Sequence, residues 1–227
     1  MTASNVVITG MGIVSCIGWS PKEVYDSIRL NKRGFRPISC LESPVYRGIL
    51  AGEVDGDPAA RSGLARGSRS DPLAVYAARQ AFDNANLSEL LEDDRAEVGV
   101  VLGITTGGLS TTEVYLESLL KQGTADIELM RFHECSTSAA TIAHQLELFG
   151  VQTSVSNACA SGANALALAR DYIQSGEAEI VLAGGVDSLT RLTVNGFNSL
   201  LVYDAQGCRP FDKDRAGMTI GEIGRAS

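Results

Sequence analysis

Cys159 lies in the run Ser154-Val155-Ser156-Asn157-Ala158-Cys159-Ala160-Ser161-Gly162-Ala163, where an extended segment gives way to a helical pattern. Small neighbours leave room for a substrate to approach the sulfur. A helix start supplies backbone N–H groups and a positive dipole end, both of which favour thiolate over thiol. This placement suits a nucleophile. The competing reading is a buried small hydrophobe, the common fate of a free cysteine. His133 and His144, the two histidines of the chain, are the candidates for a base beside the thiol. His144 falls on a helix with apolar neighbours and His133 in a loop-like stretch. Both read as structural or solvated residues, so the sequence offers a nucleophile without an obvious base.

Two glycine motifs point to phosphate chemistry and then fail it. Gly10-Met11-Gly12-Ile13-Val14-Ser15 begins like a dinucleotide fingerprint. The third glycine is missing, and no helix opens directly behind it, so a turn between strand and loop is the better reading. Gly103-Ile104-Thr105-Thr106-Gly107-Gly108 follows a strand and precedes a helix. No Lys followed by Ser or Thr comes after the glycines, so it reads as a backbone-approach or packing loop.

The elements that must position the thiol alternate. Short apolar runs bounded by glycine at 6–9, 98–104, 151–156 and 180–183 predict buried strands. Between them, Trp19-Ser20-Pro21-Lys22-Glu23-Val24 reads as a helix start, with Ser20 as N-cap, Pro21 as first helical residue and Glu23 closing a capping box. Trp19 and Val24 are spaced for a hydrophobic staple. Asp71-Pro72 opens a second helix with Leu73, Tyr76, Ala77 and Ala81 on one face. The segment 109–114 repeats the box and staple. Helices are expected near 138–148, ending before Gly150, and over 159–175, ending before Gly176. Residues 89–97 read as a solvated acidic connection and 204–217 as a polar loop. Strands alternating with helices predict an α/β fold with a largely parallel sheet.

Composition sets outer bounds. A chain of 227 residues with 44% hydrophobic and 20% charged residues can bury a sizeable core. A net charge of −8 argues against nucleic acid as a partner and gives no reason to expect a membrane surface. Cys16, Cys40, Cys135, Cys159 and Cys208 show no CxxC spacing, and neither a disulfide framework nor a zinc site is expected. The first 20 residues lack a basic n-region and are broken by glycines, so no signal peptide is read there. A cytoplasmic location is the simplest expectation, with no cofactor and no metal.

The segment 155–163 resembles the active-site motif of the β-ketoacyl-acyl-carrier-protein synthases, condensing enzymes of the thiolase superfamily. Four further motifs resemble the family in its order: Val7-Ile8-Thr9-Gly10-Met11-Gly12, the loop 103–108, Leu182-Ala183-Gly184-Gly185-Val186-Asp187, and the loop Arg209-Pro210-Phe211-Asp212-Lys213-Asp214-Arg215-Ala216-Gly217. The elongating branch is the nearest in character. The resemblance implies the N-terminal half of a thiolase-like fold, with helices on both faces of a mostly parallel sheet and Cys159 as acyl acceptor. It implies acyl carrier protein as the partner that brings acyl and malonyl groups, and a homodimer of the completed chain. It places Thr106 at the far end of an acyl tunnel, Phe197 beside the acyl pocket, and Arg66 and Arg69 where basic residues meet the acidic carrier. For Thr106 and Phe197 ordinary packing is the alternative, and for the arginines a solvated loop.

Family members carry a second half that supplies two histidines and a lysine. The ending Gly221-Glu222-Ile223-Gly224-Arg225-Ala226-Ser227 departs from the family's Gly-Glu-Gly-type strand. The expectation is a truncated chain, 1–227 being the N-terminal domain, not competent for condensation alone. A non-catalytic partner or assembly fragment of a condensing enzyme is the alternative. A thiolase acting on coenzyme A thioesters ranks behind both, because the loop 209–217 favours the synthase branch.

Overall fold

A computed structural model describes residues 5–41, 43–46, 48–89 and 97–227. The acidic connection expected over 89–97 lies outside the described residues apart from its two ends. Five strands form the central sheet in the order β1-β7-β6-β4-β5: β1 is Gly12–Ser15, β4 Gly99–Gly103, β5 Gln152–Val155, β6 Val181–Asp187 and β7 Ile223–Ala226. A separate ribbon pairs β2 (Arg36–Pro37) with β3 (Leu50–Ala51). β4 is parallel to both β5 and β6, whereas β7 is antiparallel to β1 and β6. Only β7 therefore runs against the others, which agrees with the mostly parallel sheet expected from the alternating pattern.

The helices are α1 (Pro21–Arg29), α2 (Pro58–Ser62), α3 (Ser70–Asn84), α4 (Leu109–Gln122), α5 (Ser136–Leu146), α6 (Ser161–Ser175) and α7 (Arg191–Ser199). α3 and α5 cover one face of the sheet, and α6 lies on the other. All five residues of β4 are buried, as befits a strand covered on both sides. On the α3 side, Leu73, Ala77, Ala81 and Ile142 pack against Val100, Leu102, Leu182 and Val186 in the main core. Each such Leu, Ile or Val contributes about 1.5–3 kcal/mol by leaving water. On the α6 side the core is small: Val101, Ala165, Ala169 and Ala183.

Several expectations shift. The run 6–9 is not a strand, and Val7 and Ile8 are 73% and 61% exposed. The strand begins instead at Gly12, and the chain reverses after it, where Ser15 and Gly18 exchange backbone hydrogen bonds of 2.8 and 3.2 Å. Gly10 and Gly12 are not a turn. A Cβ at Gly10 would sit 2.2 Å from the Ala81 carbonyl, and one at Gly12 1.9 Å from the Ala77 carbonyl. They are glycines because this segment runs hard against α3.

At α1 the Ser20 side chain accepts the Glu23 N–H, and Glu23 reaches back to the Trp19 N–H at 2.8 Å. The second expected box does not form. α4 starts at Leu109 without a side-chain cap, and Ser110 accepts the Arg69 N–H. The Glu113 carboxylate instead accepts the N–H groups of Arg191 and Leu192, the first two residues of α7. α3 starts one residue before Asp71. α5 ends at a left-handed Glu147 (φ 57°) rather than at Gly150, and that turn returns Leu148 to the core. α6 does end at Gly176, which is left-handed at φ 79°.

Candidate active site

β5 leads into a 3-10 turn, Ala158–Ala160, and α6 follows at once. Cys159 sits in that turn and is exposed. Ala158 before it has φ +47°, a left-handed conformation that a non-glycine residue adopts at a cost. Hydroxyls hold it there. Ser161 donates to the Ala158 carbonyl at 2.7 Å and accepts the Asn157 N–H at 2.8 Å. Thr105, on the loop after β4, donates to the same carbonyl at 3.2 Å. The start of α6 lies directly on the sheet: a Cβ at Gly103 would meet the Ser161 carbonyl at 2.3 Å, and one at Gly185 the Gly162 Cα at 3.3 Å. The glycines of β4 and β6 thus let the Cys159 turn approach the strands.

A cavity of about 340 Å³ opens around the thiol, lined among others by Cys159, Gly162, Ala163, Leu166, Asp187 and Arg225. The α6 amino end faces it and favours negative charge there. Arg225 is held in the β7 ladder opposite Ile13 and Gly185. Asp187, the last residue of β6, is fully engaged through one oxygen: Oδ1 accepts the Thr105 N–H (3.0 Å), the Thr106 N–H (2.7 Å) and the Thr106 hydroxyl (2.8 Å). Its position within a strand motif was visible in the sequence, but its hold on the loop 105–106 was not.

The other candidates lie elsewhere. Thr106 is half-buried and turned onto Asp187. Phe197 on α7 packs against the cluster of Ile38, Leu41, Tyr46 and Leu189, outside the thiol cavity. His133 Nδ1 lies 2.8 Å from the Thr112 hydroxyl, and His144 is exposed on α5. Neither histidine lines the cavity.

Arg69 turns inward. It donates two bonds, of 2.8 and 2.6 Å, to Glu222, whose side chain is 0% exposed, with Glu53 at 4.0 Å. Glu222 also accepts the Val54 and Leu189 N–H groups. Arg66 is exposed. It shares a cleft of about 620 Å³ with Arg131, Phe132 and Thr137, and Arg131 is paired to Glu128 at 2.9 Å.

The cysteines differ sharply. All five are free. Burial pushes the Cys40 thiol up to about 12, with Glu222 and Glu53 adding to the rise against the pull of Arg69. Burial also raises Cys16 and Cys135, the latter with help from Asp187 and Glu134. Only Cys159 is exposed, and it lines the cavity. Among the described residues no cluster of His, Cys, Asp and Glu is arranged to hold a metal ion, and no helix is long and apolar enough to cross a membrane.

A three-layered α/β unit that presents an exposed cysteine at a strained strand-to-helix turn is the N-terminal half of a thiolase-type fold. The family model for the β-ketoacyl synthase N-terminal domain matches residues 3–224, and the chain belongs to that family. It is 31% identical over 224 residues to "Nodulation protein E" of Rhizobium meliloti (strain 1021), covering 96% of this chain and 56% of that protein. It is 28% identical over 235 residues to "3-oxoacyl-[acyl-carrier-protein] synthase 2" of Coxiella burnetii (strain RSA 493 / Nine Mile phase I), with 98% and 56% covered. The solved structure "The ishigamide ketosynthase/chain length factor" superposes with a TM-score of 0.87 at 32% identity, over 97% of this chain and 56% of that one. The chain thus spans about half the length of the relatives it matches.

Proposed function

We propose that this chain is the nucleophile-bearing half of a 3-oxoacyl-[acyl-carrier-protein] synthase that elongates acyl groups in fatty acid or related polyketide synthesis. The Cys159 thiolate attacks the thioester carbonyl of an acyl carrier protein. A new S–C bond forms, the carrier's own C–S bond breaks, and the carrier leaves as a thiolate that takes up the proton Cys159 gave up. A malonyl carrier then loses carbon dioxide, and its carbanion attacks the acyl-Cys159 carbonyl. The C–S bond breaks, Cys159 leaves as a thiolate that a proton from water returns to the thiol, and a 3-oxoacyl carrier departs. Covalent capture divides one difficult transfer into two easier ones. The backbone N–H of Cys159 is an oxyanion donor for both steps. Two histidines and a lysine from a second half complete the decarboxylation in this reading.

The observation that carries the proposal is the exposed Cys159, held at the amino end of α6 over a cavity, inside the family match. Arg66 stays assigned as a docking contact for an acidic carrier, in a cleft it shares with the paired Arg131 and Glu128 and with Asp126; Arg69 serves the interior instead. Thr106 and Phe197 stay assigned to the acyl site once a second half closes around it. The outer side of β5 has no strand partner among the described residues, which supports pairing with a second copy in a homodimer.

Incubation with an acyl thioester followed by mass mapping tests the reading. An acyl adduct on Cys159, absent from Cys159→Ala, is expected. No adduct, together with stable pairing to a full-length synthase, gives the non-catalytic partner instead.

A further inference from the structure

We propose that Asp187 is a positioning residue for Cys159, acting through the loop 105–106 on the strained residue Ala158. The inference rests on the reading of Cys159 as acyl acceptor and adds a residue to it. Asp187 lies at the carboxyl end of β6, 28 positions beyond the thiol in sequence, and its carboxylate works through Thr105 and Thr106.

Oδ1 of Asp187 gathers two backbone N–H groups and one hydroxyl at 2.7–3.0 Å. Each is a hydrogen bond of ordinary length. Three of them on a single oxygen fix where Thr105 stands relative to β6. Thr105 then donates its hydroxyl to the Ala158 carbonyl at 3.2 Å, where the Ser161 hydroxyl also arrives at 2.7 Å. That carbonyl belongs to the residue at φ +47° immediately before the nucleophile. A strained backbone persists only where its surroundings over-determine it. Here two hydroxyls do so, and one of them is carried on a loop that Asp187 anchors. Ser70 ties the same region from behind: its hydroxyl donates to the Gly107 carbonyl at 3.1 Å and lies 3.0 Å from the Ser188 hydroxyl. Without the carboxylate the loop loses three bonds on the thiol side of that tie.

The consequence is kinetic. The Cys159 sulfur remains, but its direction is less well defined, and a misplacement on the order of 1 Å at a reacting centre costs up to about a hundredfold in rate. Asparagine at position 187 keeps an Oδ1 acceptor and therefore keeps the loop. Alanine does not.

The experiment measures the rate of Cys159 acylation by hexanoyl-N-acetylcysteamine, read by mass mapping, and of its alkylation by iodoacetamide as a small neutral probe. Asp187→Ala lowers both rates by at least about tenfold, and Asp187→Asn restores them to within about threefold of the parent. Thr105→Val, which leaves the carboxylate in place and removes the clamp on Ala158, also slows both reactions. The double variant Asp187→Ala/Thr105→Val is no slower than the slower single one, because both act on one element. The parent rate in Asp187→Ala, or an Asp187→Asn as slow as Asp187→Ala, overturns the assignment. If Asp187→Ala does not fold, Thr105→Val carries the test, and the parent rate in that variant overturns it. Failure of the underlying reading looks different: the parent protein itself takes no acyl group on Cys159.

Discussion

The two faces of the central sheet are built for different tasks. On the α3 face, long side chains fill the space between helix and strand, with Leu73, Ile142, Leu102 and Val186 all buried. On the α6 face, the fully buried residues are small, Val101, Ala165, Ala169 and Ala183, with Leu166, Leu168 and Tyr172 only partly buried against them, and backbone meets backbone where Gly103 lies under Ser161 and Gly185 under Gly162. The first face holds the fold, and the second presents a thiol. A helix seated on glycines brings its amino end close to the strands, and its first turn stays open to a ligand. The same arrangement leaves the first turn of α6 with little apolar burial, so the Cys159 turn is held by the hydroxyls of Ser161 and Thr105.

This contrast fixes the order of expected effects. Leu73→Ala strikes the α3 face, where Leu73 is fully buried and its carbonyl abuts Gly224 of β7. It is expected to cost about 2–5 kcal/mol, read as a lowered denaturant midpoint; a loss under 1 kcal/mol would deny that this face holds the fold. Arg69→Met comes next. It strands the Glu222 carboxylate without its cation, at an expected cost of about 3 kcal/mol, with the fold otherwise kept. An unchanged midpoint would show that Arg69 does not serve the interior.

The inward pull of that region extends to Cys40. Its folded thiol is raised above the ordinary value of 9.0 to about 12. The unfolded chain therefore ionises first. The stability contributed by Cys40 is fully present below pH 9, and it falls away as pH rises from about 9 to about 12. Cys40→Ala is expected to flatten that part of the stability profile, and an unaltered slope would contradict it. The smallest effect falls on the α6 face: Leu166→Ser changes stability by less than about 1 kcal/mol, since Leu166 is only half-buried and lines an open cavity.

What the sequence made legible follows the same division. The strand-to-helix junction at Cys159, the end of α6 at Gly176 and the cap of α1 are local, and each is written in neighbouring residues. The misplaced features depend on distant partners. Arg69 meets Glu222 across 153 positions, and Glu113 caps α7 from 78 positions away. Neither pairing leaves a mark in its own neighbourhood, so Arg69 read as a docking residue and Glu113 as part of a local box. Strand 6–9 failed for a related reason: its apolar run is a strand signal, but no neighbouring strand pairs with it among the described residues. Asp187 escaped notice as a site residue because its partners lie on another loop, 81 and 82 positions away.

The role proposed for the open face is to load an acyl group onto Cys159. Mass mapping of the protein after reaction with an acyl thioester at neutral pH tests it most directly. One adduct is expected, on Cys159, lost in Cys159→Ala, with Cys40 modified only after unfolding. An adduct that persists in Cys159→Ala, or a native protein acylated at Cys40 in preference to Cys159, would contradict it.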